Sequence, residues 1–151
     1  MQIYVDADAF PKVIQEILFR AIERLRISLI LVSNKNVKHP KSDLISRIVV
    51  TSGPDVADDK IVEMVQNGDL VVTADIPLAS RVIEKGAYAI NPRGELYTKT
   101  NINHKLAMRD LMDELRKNGE ITGGPSSFNQ KNIQEFANQL DKFLTKHCRK
   151  P

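Results

Sequence analysis

Two apolar runs in this chain end directly on aspartate. Ile3-Tyr4-Val5 is followed by Asp6 and Asp8, and Leu70-Val71-Val72-Thr73 by Asp75. A carboxylate just past the carboxyl end of a buried parallel strand lies on the edge where open α/β sheets build their sites. Asp58 and Asp59 begin an apolar-periodic segment that leaves the same edge. Asp69 precedes its strand, belongs to the opposite edge and is set aside. If the first and fourth strands are neighbours, Asp6 and Asp75 flank the crevice where the strand order reverses. Carboxylates gathered in this way, without His or Cys, repel one another unless a cation sits among them. Mg²⁺ and Mn²⁺ prefer carboxylate and water oxygens and are the expected cofactors. The candidate ligands are Asp6, Asp8, Asp58, Asp59 and Asp75, with Asp6, Asp58, Asp59 and Asp75 as the catalytic set. The chemistry such a site serves is activation of a water and neutralisation of charge developing on a phosphodiester.

Ser33 and Thr73 end the second and fourth strands and could touch phosphate, while Lys35, Lys38 and Arg93 lie in loops that could meet a phosphate backbone. Each of these residues also has an ordinary structural use. Asp8, Asp58 and Asp59 are good helix caps; strand-end hydroxyls are commonly satisfied by nearby backbone; loop cations are commonly just solvated.

The elements needed to position the aspartates can be read from apolar patterning. Buried strands are expected at 3–5, 28–33, 48–51, 70–73 and 87–90, because their apolar runs show no polar alternation. Between them, Lys12 to Leu25 has helical spacing. A second helix, capped by Asp58 or Asp59, runs through Ile61, Val62 and Val65 to Gly68, and a third runs from Pro77 to about Lys85. This alternation predicts an α/β fold with a central, mainly parallel five-stranded sheet flanked by helices in three layers. Leu96-Tyr97 is at most a short addition. A C-terminal helical extension follows: a helix at 104–117 with Leu106, Leu111, Met112 and Leu115 inward, a Gly/Pro/Ser loop at 121–130, and a helix at 132–147 with Ile133, Phe136, Ala137, Leu140 and Leu144 inward. One domain over 1–151 is expected, with 92–151 packed on the core formed by 1–91.

The chain has 151 residues, 42% hydrophobic and 27% charged, and a formal net charge of +3, which permits a polyanionic partner without requiring one. One cysteine excludes an internal disulfide. The first residues already read as a core strand and no run approaches membrane-spanning length, so a cytoplasmic protein without membrane contact is expected.

Asp6-Ala7-Asp8-Ala9 with Pro11, Ala57-Asp58-Asp59-Lys60-Ile61, the stretch Gly68 to Ala79, and Gly124-Pro125 with Phe128 together resemble the YaiI/YqxD family of uncharacterised bacterial proteins, over nearly the whole chain. That family is grouped with PIN-like domains, whose better-known members are metal-dependent nucleases with acidic residues at the carboxyl edge of a parallel sheet. The resemblance implies a PIN-like fold, with the acidic pattern falling on Asp6, on Asp58 or Asp59, and on Asp75. Phe10 stands where the family commonly has Cys, and Glu95 is the candidate for a fourth acid. The expected function is a Mg²⁺- or Mn²⁺-dependent nuclease acting on RNA or single-stranded nucleic acid. One alternative is a non-catalytic nucleic-acid or protein-binding module. Another is a haloacid-dehalogenase-like phosphatase with Asp6 as nucleophile, Asp8 as acid/base and Ser33 on the phosphate; against it, Gly68-Asp69 precedes a strand where that reading needs it to follow one.

Overall fold

The computed structural model describes residues 1–7, 10–35, 39–53, 55–120 and 129–147. In chain order these form β1 (Gln2–Asp6), α1 (Lys12–Leu25), β2 (Ser28–Ser33), β3 (Ile45–Val49), α2 (Val56–Met64), β4 (Leu70–Val72), α3 (Ile76–Glu84), β5 (Tyr88–Ile90), β6 (Leu96–Tyr97), α4 (Ile102–Lys117) and α5 (Gln130–His147). The strands make one sheet in the order β3-β2-β1-β4-β5-β6. The first five pair in parallel, and β6 adds to β5 antiparallel. The sheet therefore has six strands, not five. Asn91 to Glu95 turn tightly enough for Leu96-Tyr97 to return along β5.

Alternate residues of each central strand feed two separate cores. Ile3, Val5, Leu29, Leu31, Leu70, Val72 and Ile90 pack on one face beneath α1 and α5. Tyr4, Ile30, Val32, Val71 and Ala89 pack on the other beneath α2, α3 and the start of α4. Both faces are covered, which gives three layers and explains the unbroken apolar runs. The register puts Ile3 opposite both Leu29 and Leu70, so β1 is the central strand between two parallel neighbours.

Several boundaries differ from the sequence-based expectation. β3 is Ile45–Val49 rather than 48–51, and it is an edge strand on which only Ile45 is buried. The N-cap of α2 is Asp55, in the left-handed region at φ 63°, so Asp58 and Asp59 lie inside the first turn and do not cap it. On α4 only Ile102 is buried; Leu111 and Met112, expected inward, are exposed, and Leu115 is half-buried. α5 behaves as its spacing suggests, burying Phe136, Leu140 and Leu144, with Phe143 in addition. Most of the 121–130 loop lies outside the described residues.

α5 is held closely to the β5–β6 turn at Gly94, which has φ +92°. A Cβ there would come within 2.7 Å of the Glu135 backbone, so only glycine fits both the turn and the helix above it. Phe10 meets Phe136 edge-on with centroids 6.5 Å apart, and Arg24 of α1 pairs with Asp141 of α5 at 2.7 Å. No helix among the described residues is long and apolar enough to cross a membrane.

Candidate functional site

The strand order reverses between β1 and β4: β2 and β3 lie to one side, β5 and β6 to the other. Loops at the carboxyl ends of β1 and β4 diverge there and leave a crevice. Asp6 is the last residue of β1 and is half-buried at this rim. Thr73 follows β4 and is buried; its backbone N–H donates to the Ile90 carbonyl at 3.0 Å and its hydroxyl accepts from the Asp75 N–H at 3.0 Å. That turn places Asp75 as N-cap of α3, with Oδ1 accepting from the Leu78 N–H at 2.9 Å. The cap satisfies one of the otherwise unpaired donors at the start of the helix. Asp75 thus has a local structural role while presenting charge at the rim.

α2 enters the same rim from β3. Its phase, set by the Asp55 cap, separates the two adjacent aspartates. Asp58 turns inward to a hydrogen bond with the Asp75 carboxyl. Burial, and then the charges of Asp75, Asp6 and Asp55, push its pKa from 3.8 up to about 6. Asp59 turns outward and pairs with Arg81 of α3 at 2.8 Å in an exposed ion pair. The rim therefore brings together Asp58 and Asp75, with Asp6 close enough to act on Asp58 through its charge, and it leaves Asp59 on the surface.

The other residues singled out from sequence fall as follows. Ser33 is buried at the end of β2 and donates its hydroxyl to the Lys35 carbonyl, with Lys35 itself exposed. Arg93 reaches Asn132 of α5 at 3.3 Å. Glu95 is ion-paired with Lys105 of α4, and the hydrogen bond from Lys105 holds its carboxyl below the usual range. Asp69 lies at the amino edge, buried, where Oδ1 accepts from the Gln2 N–H and Oδ2 from the Gln66 N–H, both at 3.0 Å. That is a structural clasp between β1 and β4. Asp8 and Lys38 lie outside the described residues.

Among the described residues, no three His, Cys, Asp or Glu side chains stand ready to hold a metal ion. What the rim offers is two carboxylates in contact and a third nearby. That suits an ion such as Mg²⁺, which takes one or two carboxylates and completes its shell with water and substrate phosphate. It does not suit a fully enclosed site.

A cleft of about 560 Å³ opens from Asp75 and Ile76 along one flank of α4, past Lys105, Met108, Arg109 and Arg116. Sequence reasoning missed this flank. The usable signal was the recurrence of Lys105, Met108, Arg109, Met112 and Arg116 at spacings of three and four, a mixed cationic and methionine stripe on one side of a helix.

Comparison with known proteins adds the family. Residues 4–146 match the profile of the uncharacterised YaiI/YqxD family. UPF0178 proteins of Hahella chejuensis and Pectobacterium atrosepticum are each 58% identical to this chain, covering 97% of both chains for the first, and 95% of this chain and 96% of the relative for the second. The UPF0178 protein of Marinomonas sp. is also 58% identical, over 99% of this chain and all of its own. No solved structure matches the chain. With a profile match over nearly its whole length and relatives this similar from end to end, the chain belongs to the YaiI/YqxD family.

Proposed function

We propose that this protein is a Mg²⁺- or Mn²⁺-dependent nuclease of PIN-like type, cleaving phosphodiester bonds in RNA or single-stranded nucleic acid in the cytoplasm. The observation that carries the reading is the meeting of Asp58 and Asp75, within the field of Asp6, at the point where the sheet order reverses. Three segments distant in sequence deliver acid to one rim, and the resulting repulsion has no structural benefit of its own. Asp58 and Asp75 are the residues that would hold a cation, with Asp6 contributing charge or a water-mediated contact. A bound divalent ion would supply an activated water and a counter-charge to the phosphate oxygens.

The chain's own groups do the rest. Asp75 is fixed in direction by the Leu78 N–H. Asp58, whose pKa without metal lies near 6, carries a proton at mildly acidic pH and gives it up near neutrality, so the rim holds a cation better at neutral than at acidic pH. A labelled single-stranded RNA and the equivalent DNA, incubated with Mn²⁺ or Mg²⁺, should be cut by the wild type. Cutting should be abolished by EDTA and reduced at least 100-fold in Asp75→Asn. Intact oligonucleotides under all these conditions would overturn the proposal.

A binding-only reading is supported by one specific feature, the capping role of Asp75, which accounts for that carboxylate without catalysis. It gives salt-sensitive oligonucleotide binding with no product. Release of phosphate from p-nitrophenyl phosphate, lost in Asp6→Asn, would instead indicate the phosphatase chemistry.

A further inference from the structure

α4 is anchored mainly at its amino end. Ile102 is buried and Leu106 packs partly against the α3 side of the core, whereas Met108, Leu111 and Met112 are 43%, 47% and 36% exposed. Methionines in water on a helix are costly to leave uncovered and well suited to a partner of irregular shape. They do not stand alone. Lys105, Arg109 and Arg116 share the same cleft wall, against the one carboxylate of Asp113, and the cleft ends on Asp75.

We infer that this cleft is a track for the sugar-phosphate backbone of a single-stranded nucleic acid, delivered by α4 to the Asp75 rim. The inference rests on the proposed function only for what happens at that rim. The rise of a helix separates Lys105 from Arg109 by about 6 Å, and Lys105 from Arg116 by about 16 Å, along the axis. The cations are thus spread along a line instead of clustered as for a single phosphate. The present partners of the two arginines are easily exchanged, whereas Lys105 is held by Glu95. Arg109 stands 3.5 Å from Asp110 and 3.8 Å from Asp113, Arg116 lies 3.1 Å from Asp113, and these pairs are exposed. Surface pairs of this kind contribute little, so a phosphate can replace the carboxylate. Met108 and Met112 lie between the cations and offer polarisable apolar surface to unstacked bases. A duplex, whose base faces are hidden, has no use for them. This is why the cleft selects a single strand.

The test uses the full chain in EDTA, so that binding is read without cleavage, with a fluorescein-labelled twelve-residue oligo(U), the same length of oligo(dT), and a hairpin duplex. Anisotropy should show single strands binding at least five-fold more tightly than the duplex. Arg109→Gln with Arg116→Gln should weaken oligo(U) binding ten-fold or more and make the salt dependence shallower by about 1.4 in log–log slope, two phosphate contacts' worth. Arg20→Gln with Lys131→Gln, the same charge change elsewhere on the surface, should cost less than three-fold. Met108→Ser with Met112→Ser should weaken single-strand binding without changing the slope. Equal losses in the two charge variants, no binding to any probe at low salt, or a dimer in sedimentation that Met112→Ser dissociates while oligonucleotide affinity is unchanged would each overturn the track. Binding as described but no cleavage when Mn²⁺ is restored supports the track and removes the nuclease. Cleavage that proceeds at wild-type rate in the Arg109/Arg116 variant at subsaturating substrate removes the track and keeps the nuclease.

Discussion

At the scale of single residues, Asp58 and Asp75 carry opposing demands. Asp58 has its pKa raised above the ordinary 3.8 to about 6, so the folded state holds a proton that the unfolded chain has released. Stability from this group is therefore complete below about pH 4, falls as pH rises through the interval up to about 6, and stays reduced above it. Asp58→Asn should remove that pH dependence and raise the midpoint of thermal unfolding at pH 7.5. Allowing for solvent screening of a half-exposed group, the relief is on the order of 1 kcal/mol, or roughly 2–4 °C for a chain of this size. Differential scanning fluorimetry from pH 4 to 8 checks it. Asp75 separates two roles by choice of substitution. Asp75→Asn keeps an oxygen for the Leu78 N–H and should melt within a degree or two of wild type or above it, while losing any metal response. Asp75→Ala also loses the cap and should cost about 1 kcal/mol. The strand-end placement of Asp6 and Asp75 was legible in the sequence because buried parallel strands are continuous apolar runs whose ends are sharp. The choice between Asp58 and Asp59 was not. Neighbours on a helix point about 100° apart, and which one faces the rim depends on where the helix starts, here on Asp55 in a left-handed conformation that no residue pattern announces.

At the scale of elements, the strands and helices of the central sheet were readable and the outlying ones were less so. β1, α1 and β2 follow the apolar pattern because both sheet faces are covered there. β3 shifted by three residues because an edge strand with one buried position has no run to mark it, and the apolar Ile48-Val49-Val50 points elsewhere. β6 is two residues long and owes its existence to the turn at Asn91–Gly94, where the Asn91 side-chain oxygen accepts from the N–H groups of Arg93 and Glu95. α4 shows the limit of periodicity most clearly. The pattern reveals an apolar stripe but not whether anything lies over it. A prediction belonging to this scale concerns the seat of α5. Gly94→Ala forces both a strained φ and an overlap with the Glu135 backbone, and should destabilise by about 2 kcal/mol or more, measured by chemical denaturation.

At the scale of the whole molecule, the prediction is a linkage between ion binding and folding. If the acidic rim takes a divalent cation, Mg²⁺ or Mn²⁺ must stabilise the native state by RT ln(1 + [L]/Kd), about 2.7 kcal/mol at a hundred times Kd. The melting temperature should climb with metal in the wild type and stay flat in an Asp58→Asn, Asp75→Asn double variant; an equal rise in both would move the ion away from the β1–β4 crevice.

The position of α5 has a consequence for how the protein is made. Phe136, Leu140, Phe143 and Leu144 complete the core on the α1 face of the sheet, yet they follow every strand of that sheet in the chain. Until α5 has been made, the strands it will cover have their neighbours but not their whole roof, and Ile90 lacks the helix beside it. The α1-face core therefore closes only after α5 is available. A nascent chain halted before residue 130 should be a strong client for a holdase, and extension through the 18 residues of α5 should end that dependence.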